Sequence, residues 1–158
     1  MNLRNAFLFI FFTIVTGCKS QGDGNSIQSA ENSAFDKECT RTIKLFFKEI
    51  ESNKYNDGLE TLLRQNPGID FTDSTTINLR EQFSVLNKIS GKYNGNTFLR
   101  KKLIGEDVGA YSYLAKYDKK YYRFLFVFYN TEGTTRIFKF KFDDSITQEL
   151  EESLRIYF

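Results

Sequence analysis

Hydrophobic residues in the first half of the chain recur at spacings of three and four, which is the period of an amphipathic helix. The clearest run predicts a helix over residues 35–52. A shorter run predicts a second helix over residues 55–65, which the following Asn-Pro-Gly would end. A third helix is expected from about Asp73 to Gly91, because glycine readily adopts the left-handed conformation that closes a helix.

After Gly91 the spacing of hydrophobic residues changes to two, which is the period of a β-strand. The segments between the predicted strands are short and rich in turn residues, so we expect an antiparallel meander. Phe138, Phe140 and Phe142 are expected to point to one face of the sheet, which the helices would cover. The strands are predicted over residues 93–104, 108–117, 121–129 and 135–142.

The last part of the chain predicts one more helix. Ser145 and Gln148 have the spacing of a capping box, and the helix that follows is expected to turn Leu150 inward. The predicted fold is therefore α+β, with N-terminal helices packed on a curved antiparallel sheet of four to six strands and a C-terminal helix after it.

This order of elements resembles the nuclear-transport-factor-2-like fold, also called the cystatin-like cone. The resemblance is carried by the helices over residues 35–52 and 55–65, by the helix that ends at Gly91, and by the aromatic strand over residues 121–129. It implies a pocket between the sheet and the helices, which serves catalysis in some members and ligand binding in others. Function inferred from this resemblance is analogy, because one fold hosts many activities.

The first residues of the chain predict a secretion signal. Arg4 precedes a run of ten residues that are apolar except for Thr13, and this run is much shorter than the roughly 20 residues that a membrane-spanning helix needs. The run ends in Val-Thr-Gly-Cys18, which resembles the lipobox of bacterial lipoproteins. The resemblance implies cleavage before Cys18, lipidation of its thiol and attachment to a membrane through acyl chains.

The resemblance also divides the chain and suggests a location. Residues 1–17 are expected to be a signal peptide, residues 18–33 a flexible polar tether, and residues 34–158 a single domain. Lys19 stands where the enterobacterial sorting rule places an Asp that retains lipoproteins in the inner membrane. By that rule the outer membrane is favoured, with the domain facing either the periplasm or the outside.

Composition excludes several kinds of chemistry. The 158 residues contain no His and only two Cys, which rules out Cys/His zinc sites and His-dependent catalytic triads. With Cys18 lipidated, Cys39 has no partner for a disulfide and is expected to be a small buried side chain. No cofactor and no metal is expected from the residues present.

Charge is unevenly distributed along a chain whose formal net charge is only +2. Residues 91–142 contain eleven basic and four acidic residues, whereas residues 143–158 contain one basic and five acidic residues. The basic strands could bind an acidic protein, an anionic glycan or lipid headgroups. The alternative is a solvated sheet face with no partner, and the lipobox argues against nucleic acid. The candidate basic surface is formed by Arg100, Lys101, Lys102, Lys139 and Lys141.

A pocket in the sheet is the other candidate site. Tyr111 and Tyr113 share one face of the second strand, and Arg123 and Tyr129 share one face of the third. If these faces converge, they would form a partly polar aromatic pocket for a small acidic or amphipathic ligand. The alternative is that phenylalanine side chains fill this space as core.

An enzyme would need a carboxylate base in the same cavity. Asp70, on a short strand expected at residues 69–71, is the one acid that could enter it, with Tyr111 or Tyr113 as proton donor. A turn or cap role for Asp70 is the simpler interpretation.

The sequence favours a lipid-anchored, noncatalytic envelope protein that binds a small ligand or an acidic partner through its sheet. The alternatives are an isomerase-like or dehydratase-like enzyme that uses the cone pocket, and an inhibitor or immunity lipoprotein.

Overall fold

The computed structural model describes the backbone of residues 33–155 and the side chains of residues 33–151. Four helices come first, a four-stranded sheet follows, and a helix completes the described chain. The predicted α+β class is confirmed. The elements are α1 (Ala34–Glu51), α2 (Tyr55–Leu63), α3 (Ser74–Ser84), α4 (Leu86–Ser90), β1 (Tyr93–Ile104), β2 (Val108–Tyr117), β3 (Tyr121–Thr131), β4 (Thr134–Asp143) and α5 (Ile146–Arg155).

Side-chain caps fix the starts of α1 and α3. The hydroxyl of Ser33 accepts a hydrogen bond from the Asp36 amide at the start of α1, and the Asp73 carboxylate accepts from the amides of Thr75 and Thr76 at the start of α3. The predicted third helix is divided in two at Val85, whose ψ of 0° interrupts the helical repeat.

The sheet is the antiparallel meander that the sequence predicts. Its strands lie in the order β1-β2-β3-β4, and each strand pairs with the next along the chain. Glu132 and Gly133 join β3 to β4 with φ values of 54° and 74°, and this pair of positive angles suits the twist of a tight hairpin. Residues 69–71 form no strand, so that expectation is wrong.

The expected alternation in β4 is also wrong at one residue. Phe128 pairs with Ile137 and Val127 pairs with Lys139, so Phe138 is an extra residue in a β-bulge. Ile137 is fully buried, whereas Phe138 is 67% exposed. The bulge shifts the pattern by one residue and places Phe138 on the face opposite Phe140.

The two faces of the sheet have different covers. Helix α1 and the helices after it pack on the face that carries Phe124, Phe126 and Phe140, and this interface is the core. Helix α5 lies against the opposite face, which we call the outer face. The expectation for Leu150 is wrong, because it is 60% exposed while the neighbouring Glu149 is 5% exposed.

Candidate functional site

The space between the sheet and the helices is filled rather than hollow. The ring of Phe46 from α1 lies within 5.2–6.1 Å of the rings of Phe83, Phe124, Phe126 and Phe140. All five side chains are at most 7% exposed. This region is therefore a core filled by phenylalanine side chains, which was the alternative to a ligand pocket in the sequence analysis.

A polar cluster lies at one end of this core. The hydroxyl of Tyr111 donates a hydrogen bond of 2.8 Å to the carboxylate of Asp36, and the ammonium of Lys101 lies 3.1 Å from the same carboxylate. Asp36 is 7% exposed and Tyr111 only 1%. Burial raises the pKa of Tyr111 well above its usual range, so the phenol keeps its proton.

This cluster contains the groups of an acid–base pair, but both groups are buried and closed to solvent. The Asp36 charge is compensated by Lys101 and enclosed, so a substrate cannot reach the carboxylate without opening the core. Cys39 is fully buried, as predicted, and burial raises the pKa of its thiol to about 12. The arrangement ties α1 to β1 and β2.

The acid proposed for the enzyme alternative lies elsewhere. Asp70 is exposed, and its carboxylate accepts hydrogen bonds of 2.7 Å from the amide and the hydroxyl of Thr72. These bonds lower the pKa of Asp70, as expected for a carboxylate that closes a turn. Asp70 therefore has the turn role that we gave as the simpler interpretation.

The four residues of the predicted aromatic pocket are not brought together. Tyr111 and Tyr113 face the core. Arg123 and Tyr129 face outward at opposite ends of β3, where Arg123 binds Asp143 and Tyr129 lies beside the exposed Phe138. Tyr113 instead borders a separate groove of about 450 Å³ between α1 and β1.

Four of the five residues of the predicted basic surface lie on one face. The strand register places Arg100, Lys102, Lys139 and Lys141 on the outer face, together with Arg123. Lys101 is the exception, because it pairs with Tyr111 in the register and its ammonium binds Asp36.

Two arginines of this face converge on one acid of α5. The Arg100 guanidinium binds both carboxylate oxygens of Glu149, with Nε 2.8 Å from Oε1 and Nη2 3.3 Å from Oε2. Arg123 donates to the same Oε2 from Nη1 at 3.2 Å, and to Asp143 from Nη2 at 3.0 Å. Two-pronged contacts of this kind are the geometry in which guanidinium binds carboxylate or phosphate most strongly.

A groove of about 420 Å³ lies beside this pair on the outer face. Ala110 and Leu125 give it an apolar floor, and Arg100 and Lys102 bring positive charge. Ser112, which is 3% exposed, also lines the groove, and its hydroxyl finds no hydrogen-bond partner among the described residues. An unpartnered buried hydroxyl is unusual, and this one belongs to a residue that lines the groove.

Comparisons with known proteins do not assign a family. No protein-family model matches the chain, and no curated protein or solved structure matches it significantly. The resemblance to the nuclear-transport-factor-2-like fold therefore stays a prediction.

Residues 33–155 contain neither a cluster of metal ligands nor a membrane-spanning helix. That part of the chain holds no group of three or more acidic or Cys side chains able to bind a metal ion. Within the same residues, no helix combines the length and apolar character needed to cross a bilayer. Cys18 and the predicted tether up to residue 32 lie outside the described residues.

Sequence reasoning missed two acids that the structure makes important. Asp36 lies three residues before Cys39 on the buried stripe of α1, so an acid on an apolar stripe was the available signal. Glu149 lies three residues after Ile146 in the final helix. Sequence reasoning missed Glu149 because the apolar residues of α5 suggested that the side of the helix with Leu150 faces inward.

Proposed function

We propose that this chain is a lipid-anchored, noncatalytic envelope protein that binds an anionic partner through the outer face of its sheet. The observation that carries the proposal is the groove in which Arg100, Lys102 and the unpartnered Ser112 hydroxyl meet above an apolar floor. Positive charge attracts the anion, the hydroxyl adds a directed hydrogen bond, and the floor of Ala110 and Leu125 excludes water.

The rest of the outer face supports the same partner. Lys139 and Lys141 extend the basic surface along β4, on the same side as Arg123. Asp143 and Glu149 compensate part of this charge. The remaining excess of basic residues speeds encounter with an anionic partner, and salt weakens the attraction. An acidic protein segment fits this surface better than an uncharged ligand, and an anionic glycan offers similar charge.

The binding test uses the full chain in nonionic detergent and a fluorescein-labelled oligoglutamate peptide, followed by fluorescence anisotropy. Ser112→Ala removes a hydroxyl that has no partner, so stability should be unchanged or slightly higher while affinity falls severalfold. Ser90→Ala is the matched control. Its hydroxyl is fully buried and bonded to Tyr122 at 2.8 Å, so this variant should lose stability and keep its affinity.

A charge variant gives the second half of the test. Lys102→Gln should weaken peptide binding, and Lys88→Gln, which removes an exposed charge from α4, should not. Binding that is unaffected by Ser112→Ala and Lys102→Gln would place the anion elsewhere. A wild-type chain that does not bind at low salt would refute the proposal.

Membrane anchoring rests on the lipobox resemblance at Cys18, with the outer membrane favoured. Mass spectrometry of the natively produced protein should find an N-terminal peptide that begins at Cys18 and carries acyl chains. Cys18→Ser should abolish both the lipid and the membrane association. An uncleaved and unmodified leader would contradict the anchor without affecting the binding test.

A small amphipathic ligand is a second candidate, and the groove between α1 and β1 favours it. Phe47, Phe98 and Tyr113 give this groove aromatic walls, and Lys44 and Lys48 border it. An aromatic sulfonate such as anilinonaphthalene sulfonate should bind there with enhanced fluorescence. Phe98→Ala, which removes a side chain that is 49% exposed, should reduce the enhancement without unfolding the protein.

A further inference from the structure

The described side chains of helix α5, residues 146–151, include one acid that is buried against the outer face. Glu149 is its most buried described side chain, and Asp143, at the end of β4, holds the other side of Arg123. Leu150 points largely to solvent at 60% exposure. Among the described side chains of α5, residues 146–151, Glu149 is buried and Leu150 is exposed, whereas docking by the hydrophobic effect would bury the leucine and leave the glutamate in water.

The Glu149 carboxylate occupies a place that suits a ligand. Arg100 and Arg123 hold it from two sides, and the groove lined by Arg100 and Ser112 begins next to it. Its contacts are those that an anionic ligand would make. A competing carboxylate would restore the same contacts that the departing Glu149 loses, so neither arginine would be left buried without a partner.

We propose that α5 is an internal occupant of the anion-binding face, and that an acidic peptide segment of the partner displaces it. The incoming carboxylate takes the place of Glu149 between Arg100 and Arg123, while the partner chain extends over the groove lined by Ser112. This inference rests on the proposed function, since it specifies the partner and the regulation of the same face. The affinity of the free face is reduced by the fraction of molecules in which α5 covers it.

The test compares two glutamates of α5 in the full chain in detergent. Glu149→Gln removes the carboxylate held by the arginines, and Glu151→Gln removes an exposed charge from the same helix. Glu149→Gln should bind oligoglutamate about tenfold more tightly, equivalent to about 1.4 kcal/mol. Glu151→Gln should bind like the wild type.

Hydrogen–deuterium exchange supplies an independent measurement on the wild-type chain. Saturation with oligoglutamate should speed exchange of the α5 amides and leave those of α1 protected. Uncharged oligoglutamine at the same concentration is the control and should change neither.

The outcomes separate the two proposals. Wild-type binding with no gain in Glu149→Gln, or with α5 still protected at saturation, would overturn the displacement and leave the anion-binding face in place. Absence of binding by the wild type at low salt would refute the anion-binding face, and the displacement with it.

Discussion

The bulge in β4 makes a quantitative prediction about two phenylalanines on the same strand. Phe138 and Phe140 are two residues apart, so unbroken alternation would bury both. The structure instead leaves Phe138 67% exposed and Phe140 only 7% exposed. Phe138→Ala and Phe140→Ala make the same chemical change in these two environments.

The expected costs differ severalfold. The Phe140 ring lies 5.2 Å from the rings of Phe46 and Phe126, and its removal leaves a cavity in the aromatic core. Removal of a buried phenylalanine side chain costs about 3–5 kcal/mol of unfolding free energy. Phe138 is close to one described ring, that of Tyr129 at 6.2 Å, and its removal should cost less than about 1 kcal/mol.

Urea unfolding followed by circular dichroism measures both variants against the wild type. At about 4 °C per kcal/mol, Phe140→Ala should also lower the melting temperature by about 12–20 °C, and Phe138→Ala by less than about 4 °C. Equal losses would refute the bulge. Equal losses are the result that the unbroken alternating register predicts, because that register would bury both side chains.

Three other measurements test particular contacts. In a chain with Cys18→Ser, the buried Cys39 thiol, with its pKa raised to about 12, should resist Ellman's reagent until guanidinium unfolds the protein; rapid labelling of the native state would contradict its burial. Gly91→Ala should lower stability in urea by about 1–3 kcal/mol, because φ is +83° and the new Cβ would lie 2.8 Å from that of Asp118. Gly105→Ala should lower the free energy of unfolding by less, because φ is +58° but the new Cβ meets nothing within 4 Å. Equal losses in the two variants would show that the Asp118 contact does not contribute. Partial burial raises the pKa of Asp143, but hydrogen bonds from Arg123 and Lys141 outweigh it and lower the value from 3.8 to about 2. Asp143 therefore stabilises the fold fully above about pH 4 and loses this effect as the pH falls toward 2. The free energy of unfolding, measured in urea across this pH range, should fall less steeply in Asp143→Asn than in the wild type. An equally steep fall in the variant would assign the acid sensitivity to other groups.

Hydrophobic spacing predicted most of the fold because each element buries one side. The stripe of α1 and the alternation of β2 and β3 are continuous, so their buried faces followed directly from the residue types. The bulge could not be predicted in this way. Ile137 and Phe138 are both apolar neighbours, and either could face the core until the pairing with β3 decides between them.

The site was predictable only in part. The sequence shows which face of a strand carries a charged residue, but it does not show which residue of another element that charge contacts. Alternation was enough to put Arg100, Lys102, Lys139 and Lys141 on one face. It could not show that Lys101 turns toward Asp36, because Asp36 lies on a different element 65 residues away. The inward side of α5 was missed for a related reason, since the surface it meets is basic and selects Glu149 over Leu150.

The Asp36 cluster also has a mechanical consequence. Asp36 lies near the start of α1, and Lys101 and Tyr111 fasten it to two neighbouring strands at once. Tension applied at the N-terminal side of the domain would therefore strain contacts to β1 and β2 in parallel before α1 could unwind. Unfolding the domain by force from its N-terminal end should therefore need a higher force than in a domain whose first helical turn lacks these side-chain contacts.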